Sequence, residues 1–165
     1  KIGERIMAKF NRLLDADFQP PRTWILDLSL AYDSDCLNET EAACLKAVGA
    51  KINKNMKITV PKGFKTDLAS VPRFGWVFVA PFDIARAGVV HDYLYYCIRQ
   101  YRDAMEKSGI PEDTVLIHDA KVAADKVFKE AMDVSADHVS NWKKWVAWKT
   151  VALFGYSSIV PREEL

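Results

Sequence analysis

The feature that most constrains the fold is a stretch of helical periodicity that follows Pro81 and carries a histidine on its apolar side. Residues recur at spacings of three, four and seven, which places them on one face of an α-helix. That face consists of Ile84, Ala87, His91, Leu94, Tyr95 and Ile98. A buried imidazole needs partners for its ring nitrogens, usually a carboxylate or a metal ion. The pattern therefore predicts a helix that carries either a functional site or a buried polar network.

Two more helices are predicted after this one, between residues 111–132 and 137–154. The first has Glu112 and Asp113 in its opening turn, where acidic side chains are favoured. Its apolar face consists of Leu116, Ile117, Ala120, Ala124, Val127, Phe128 and Ala131. The second is predicted to end at Gly155.

The N-terminal half has weaker and shorter signals. Residues 23–32 alternate apolar and polar side chains and predict a strand, and residues 57–60 predict another that ends at Pro61. Residues 41–48 fit either a short helix or an insertion. Residues 64–72 read as an ordered loop, and residues 73–79 fit a short helix.

The first residues have an amphipathic pattern over 2–14, which predicts a helix that Pro20 and Pro21 terminate. We therefore expect residues 1–21 to form an N-terminal helix or arm and residues 22–165 to form a single globular domain. The predicted fold class is α+β, with a small antiparallel sheet or hairpin followed by a three-helix half.

Composition excludes several classes of function. The 23 basic and 22 acidic residues give a net charge of +1, which does not favour a nucleic-acid groove. The three cysteines lack a CxxC spacing, so a zinc-thiolate site is not expected and a reducing compartment is favoured, although Cys36 and Cys44 could pair. No secretory signal and no apolar run of about 18 residues is visible.

The candidate site is built from acidic residues around the histidine. Asp125 lies 34 residues after His91, at the edge of the apolar face of the helix predicted over residues 111–132. Packing of that helix on the His91 helix would bring Asp125 against the ring. Such a carboxylate would fix the tautomer and raise the basicity of the imidazole. Asp92 points about 100° away from His91 and could hold a cation instead. Asp67 is a third acidic candidate.

A structural interpretation competes with the catalytic one, because His91, Tyr95 and Asp125 could simply join two helices through hydrogen bonds. Other catalytic arrangements fit less well. Cys97 lies about 120° around the helix from His91, and Ser70 lacks a Gly-x-Ser-x-Gly turn. Metal phosphohydrolases with a His-Asp pair need an upstream histidine, and His91 is the first in the chain.

Three motifs resemble those of domain-of-unknown-function family 1353. They are Val60-Pro61-x-Gly63-Phe64-x-Thr66-Asp67-x-Ala69-Ser70-x-Pro72-Arg73, His91-Asp92-Tyr93-Leu94-Tyr95 and Ala124-Asp125-x-x-Phe128. The family is typical of tailed bacteriophages, prophages and gene transfer agents. The resemblance implies a phage origin, but it implies no particular activity.

A more distant resemblance concerns mechanism. His91-Asp92-x-x-Tyr95, followed by Asp125 on a later helix, is similar to the active-site helices of secreted and parvoviral phospholipases A2. The resemblance implies that His91 is the general base for water, Asp92 binds Ca²⁺, Asp125 orients the histidine and Tyr95 supports it. The chain departs from that family by having no Gly-x-Gly in the preceding loop and no flanking cysteines. Asp67, Ser70 and Arg73 are predicted to support that loop.

Three functions follow as hypotheses. The first is a phage-encoded, particle- or lysis-associated protein with a phospholipase A2-like, metal-dependent ester hydrolase site. The second is a non-catalytic tail, baseplate or neck protein, and a weaker third is an intracellular effector acting on a host protein. We expect other phage proteins as partners, no nucleic acid, and a location in the virion or the host cytoplasm.

The third predicted helix bears on partners as well. It carries Trp142, Trp145 and Trp148 together with Lys143, Lys144 and Lys149. Such a helix fits contact with membrane lipid, although tryptophans of this kind are more often core or subunit contacts.

Overall fold

The structure is a computed structural model that describes residues 8–21, 23–67 and 84–161. The strands are β1 (Lys9–Phe10), β2 (Ala16–Gln19), β3 (Thr23–Leu26), β4 (Leu30–Asp33), β5 (Lys57–Val60) and β6 (Lys65–Thr66). The helices are α1 (Glu39–Ala47), α2 (Ala85–Ser108), α3 (Thr114–Ser135) and α4 (Asn141–Phe154), followed by a 3-10 turn, Gly155–Ile159. The predicted α+β class is confirmed.

The strands form two small antiparallel sheets where one was predicted. Their orders are β1-β4-β5 and β2-β3-β6. The predicted single strand over residues 23–32 is wrong in extent, because the chain leaves the second sheet after Leu26 and joins the first at Leu30. Asp27 donates its backbone N–H to Asp15 at 3.0 Å in the bend between them. The alternation of apolar residues continues through this bend, so the pattern does not reveal it.

The helix predicted over residues 2–14 is wrong in the part that the structure describes. Lys9 and Phe10 pair with Asp33 and Tyr32 in the first sheet, and the rings of Phe10 and Tyr32 lie 4.7 Å apart. Strand pairing and aromatic contact therefore override the local helical pattern. Residues 1–7 lie outside the described residues.

Of the two alternatives left open for residues 41–48, the structure has the short helix, and the predicted strand at 57–60 is confirmed. Helix α1 begins with a capping box, in which Asn38 accepts the N–H of Glu41 and the Glu41 carboxylate accepts the N–H of Asn38. The loop predicted over residues 64–72 is a strand at its start, since Lys65–Thr66 pairs with β3. Residues 68–83 lie outside the described residues. They include the rest of this loop, the predicted helix at 73–79 and the predicted helix start at Pro81.

The helical half matches the predicted periodicity. All six residues of the predicted α2 face are buried, and so are the residues of the α3 face except the half-buried Leu116. Helix α2 ends at Ser108 and is capped by Gly109, whose φ of 65° gives the left-handed conformation that glycine accepts most easily. The short connection that follows returns the chain along α2, so that α2 and α3 pack together and α4 packs on α3. None of the described helices is long and apolar enough to span a bilayer.

Candidate functional site

His91 lies in the core between α2 and α3, with only 1% of its surface exposed. Its ring packs 4.0 Å from the Tyr95 ring and 4.7 Å from the Phe128 ring, measured between centroids. Its Nε2 lies 3.0 Å from Oδ1 of Asp125. The contact predicted between these two side chains is therefore present.

Asp125 accepts hydrogen bonds on both oxygens. The Tyr95 hydroxyl donates to Oδ1 at 2.7 Å, and the Lys121 ammonium donates to Oδ2 at 2.7 Å. Burial alone would raise the pKa of Asp125, but the bonds and charges of His91, Lys121 and Tyr95 hold that pKa below its usual value. Burial, followed by the neighbouring Asp125 charge, raises the pKa of Tyr95, so its hydroxyl stays a donor.

These contacts determine the histidine tautomer. An ionised Asp125 can only accept hydrogen bonds, so Nε2 of His91 must carry the proton that it shares with Oδ1. A neutral imidazole then has its basic lone pair on Nδ1. The contact with Asp125 thus fixes the orientation of the ring through Nε2.

Lys121 was not among the predicted site residues. It is 2% exposed, lies four residues before Asp125 on α3, and also donates to the backbone carbonyl of Ala152 at 3.1 Å. Its ammonium lies 4.8 Å from the centroid of the Tyr156 ring. The available signal was its position: a lysine inside the apolar stripe of a helix, one turn before a carboxylate, is expected to pair with it.

Tyr95 is positioned by Gly155 at the end of α4. A Cβ atom on Gly155 would collide with the Tyr95 hydroxyl and lie 3.1 Å from its Cε2 and Cζ. The glycine therefore leaves room for the ring whose hydroxyl reaches Asp125.

Asp92 is buried and contacts the second sheet. The hydroxyl of Thr66 in β6 donates to Oδ2 of Asp92. Asp67 is exposed just after β6, and Ser70 and Arg73 lie outside the described residues. Within residues 8–21, 23–67 and 84–161, no group of three or more His, Cys, Asp or Glu side chains is arranged to hold a metal ion.

The cysteines do not form a nucleophilic site in the described residues. Cys36 and Cys44 are both free, so the possible pairing between them is absent. Cys97 is buried, and burial raises the pKa of its thiol to about 11, which leaves little thiolate at neutral pH.

The tryptophans of α4 divide into two groups. Trp142 and Trp145 are 55% and 53% exposed, whereas Trp148 packs against the core. A core role therefore accounts for Trp148 but not for the other two.

A known protein-family model matches more than half of the chain. The family model described as "Protein of unknown function (DUF1353)" matches residues 44–151. The match includes His91, Asp92, Tyr95, Lys121 and Asp125 and begins after the first four strands. No curated protein and no solved structure matches the chain.

Proposed function

The chain belongs to the DUF1353 family, and we propose that it is a phage-encoded, particle- or lysis-associated hydrolase in which His91 is the general base. The observation that carries the proposal is the bond from Nε2 of His91 to an ionised Asp125. The same order of groups is found in the phospholipase A2 motif that the sequence resembles. An ester of a lipid is the substrate class that this resemblance favours.

The chemistry needs only groups of this chain and water. Nδ1 of His91 takes a proton from water while the water oxygen forms a bond to the ester carbonyl carbon. The bond between that carbon and the alkoxy oxygen then breaks, and the imidazolium returns its proton to the departing oxygen. Asp125 stabilises the imidazolium through Nε2, and Tyr95 and Lys121 keep Asp125 ionised and oriented.

A calcium ion at Asp92 is a further part of this proposal. Bound there, it would stabilise the negative charge that develops on the carbonyl oxygen. Ca²⁺ takes about six to eight oxygen ligands, and the described residues around Asp92 do not supply a cluster of acidic side chains.

Calorimetric titration of Ca²⁺, Mg²⁺ and Zn²⁺ tests the metal separately. The proposal expects binding by the wild type that is lost in Asp92→Asn and retained in Asp119→Asn, a change at an exposed position on α3. Equal binding by all three proteins would remove Asp92 from the role of ligand. Asp92 would also be excluded as a metal ligand if the folded wild type bound none of the ions.

A second function is favoured by the burial of the histidine. A ring that is 1% exposed suits a structural network, and the network joins α2, α3 and α4. In this alternative the chain is a non-catalytic tail, baseplate or neck protein, and His91 with Asp125 stabilises its core.

Histidine modification discriminates between the two functions without a known substrate. Diethylpyrocarbonate reacts with unprotonated imidazole that water can reach, and mass spectrometry locates the product. His118 and His138 are exposed and serve as internal positive controls. A general base requires modification of His91 in the folded protein, whereas resistance of His91 beside modified controls would support the structural alternative.

Activity is the direct test. We expect hydrolysis of phospholipid or simple ester substrates to fall by about 10²–10⁴-fold in His91→Gln, with His118→Gln as the matched control. Circular dichroism would verify that both variants are folded. Unchanged hydrolysis in a folded His91→Gln variant would refute the general base.

A further inference from the structure

Helix α4 and the turn after it expose several large apolar side chains. Trp142 and Trp145 are more than half exposed, and Leu153 and Phe154 are 69% and 61% exposed. Large apolar side chains that are grouped on a surface mark a site of interaction.

Four exposed residues of α4 share one side of the helix. At about 100° per residue, Trp142, Trp145, Lys149 and Leu153 fall within a sector of roughly 80°. Phe154 lies about 100° beyond Leu153 and is not part of this side. The first four residues are called the α4 face below.

The lysines of this region lie on the indole rings. The ammonium of Lys143 lies 5.8 Å from the Trp142 ring, and that of Lys149 lies 5.8 Å from Trp145 and 4.8 Å from Trp148. Such contacts hold each ammonium group against an indole ring.

The charged side chains of helix α4 itself are all positive. Residues 141–161 contain three lysines and neither aspartate nor glutamate, although the whole chain has a net charge of only +1. Lys144 is buried and pairs with Asp133 at 3.1 Å, so Lys143 and Lys149 provide the positive charge at the surface. The face therefore complements an anionic surface.

A groove adjoins the face. It has a volume of about 570 Å³ and is lined by Lys129, Asp133, Asn141, Trp142, Lys144 and Trp145. Because Asp133 and Lys144 pair with each other, Lys129 supplies the remaining charge of the groove. Its lining combines indole surface with a cation.

We propose that the α4 face binds the surface of an anionic phospholipid bilayer. Exposed tryptophan suits the level of the lipid headgroups, and lysine beside it reaches the phosphates. The helix would lie in the plane of the interface, since none of the described helices is able to span a bilayer. The inference rests on the surface alone and holds whether or not His91 is a base.

Co-sedimentation with vesicles tests this proposal. The probes are vesicles of phosphatidylcholine alone and of phosphatidylcholine with phosphatidylglycerol, mixed with the whole chain. We expect binding to the anionic vesicles only. Replacement of Trp142 and Trp145 by alanine should weaken it at least tenfold, and Lys143→Gln and Lys149→Gln should each weaken it by about fivefold.

The matched control is the double variant Lys54→Gln/Lys62→Gln, which removes two exposed lysines outside α4 and should bind as the wild type does. Thermal unfolding of each variant would verify that the fold is retained. The proposal is overturned if the folded wild type does not bind anionic vesicles, or if the control variant weakens binding as much as the α4 variants. Binding that the tryptophan variants leave unchanged would overturn it as well.

Discussion

At the scale of single residues, Asp125 is the centre of the candidate site. It accepts from an imidazole, a phenol and an ammonium group, and all three donors are buried with it. A buried carboxylate stays ionised only when such donors compensate its lost hydration. The site therefore depends on Asp125 whether its role is catalytic or structural.

Replacement of Asp125 by asparagine should strongly destabilise the fold. The substitution leaves the Lys121 charge buried without its carboxylate, and we expect a loss of about 3 kcal/mol in the free energy of unfolding at pH 7. Urea denaturation measures it. The control, Asp119→Asn on the same helix, should change the value by less than about 0.5 kcal/mol, and equal effects of the two would contradict the buried ion pair.

The same carboxylate predicts an acid dependence. Its pKa is lower in the folded protein than in the unfolded chain, where it is near 3.9. The unfolded chain therefore binds more protons at low pH. The stabilisation is complete above the unfolded pKa and is lost as the pH falls through the folded pKa.

The measurement is a series of urea denaturations of the wild type and Asp125→Asn between pH 7 and pH 2.5. Their difference in unfolding free energy should be constant above about pH 5 and should shrink below about pH 4. A difference that stays constant to the lowest pH would show that Asp125 does not titrate with folding.

At the scale of elements, the site depends on the close approach of α2 and the end of α4. Gly155 has a φ of −65°, which any residue adopts, so the space taken by the Tyr95 ring is the reason for a glycine there. A change at this junction should act on the site through the position of Tyr95.

We predict that Gly155→Ala destabilises the protein by about 1–3 kcal/mol, because its Cβ must displace the Tyr95 ring. Gly88→Ala, within α2, is the control, since no described atom lies within 4 Å of its added Cβ. That control should stabilise the helix by about 0.5–1 kcal/mol. Thermal or urea unfolding measures both, and the same sign for both variants would exclude a steric role of Gly155.

The elements also show what the sequence was able to predict. Helical spacing is a local signal, so it predicted α2 and α3. Packing of the apolar faces of these two helices then predicted the grouping of His91 with Asp125 and Tyr95. It did not reveal the contact between Thr66 and Asp92, because β6 has only two residues and its place depends on pairing with β3. The bend after Leu26 was also missed, because nothing in the alternating pattern marks a change of sheet.

At the scale of the whole molecule, α3 connects most of the fold. Its polar side chains reach four different places in succession: Lys121 bonds to Ala152 in α4, Asp125 to α2, Lys126 to Glu41 in α1, and Glu130 to Ser34 after β4. The apolar face of the same helix belongs to one continuous core with α2 and both sheets. No described element that packs on α3 has a separate core of its own.

This connectivity predicts a single cooperative unfolding transition. Loss of α3 would break its contacts with every element that packs on it. Tertiary and secondary structure should therefore disappear together. Far-ultraviolet circular dichroism and tryptophan fluorescence should therefore give the same urea midpoint and slope for the wild type. Asp125→Asn should lower both midpoints equally. A fluorescence transition that precedes loss of helix would show that α4, which holds three of the five tryptophans, separates from the rest before the core opens.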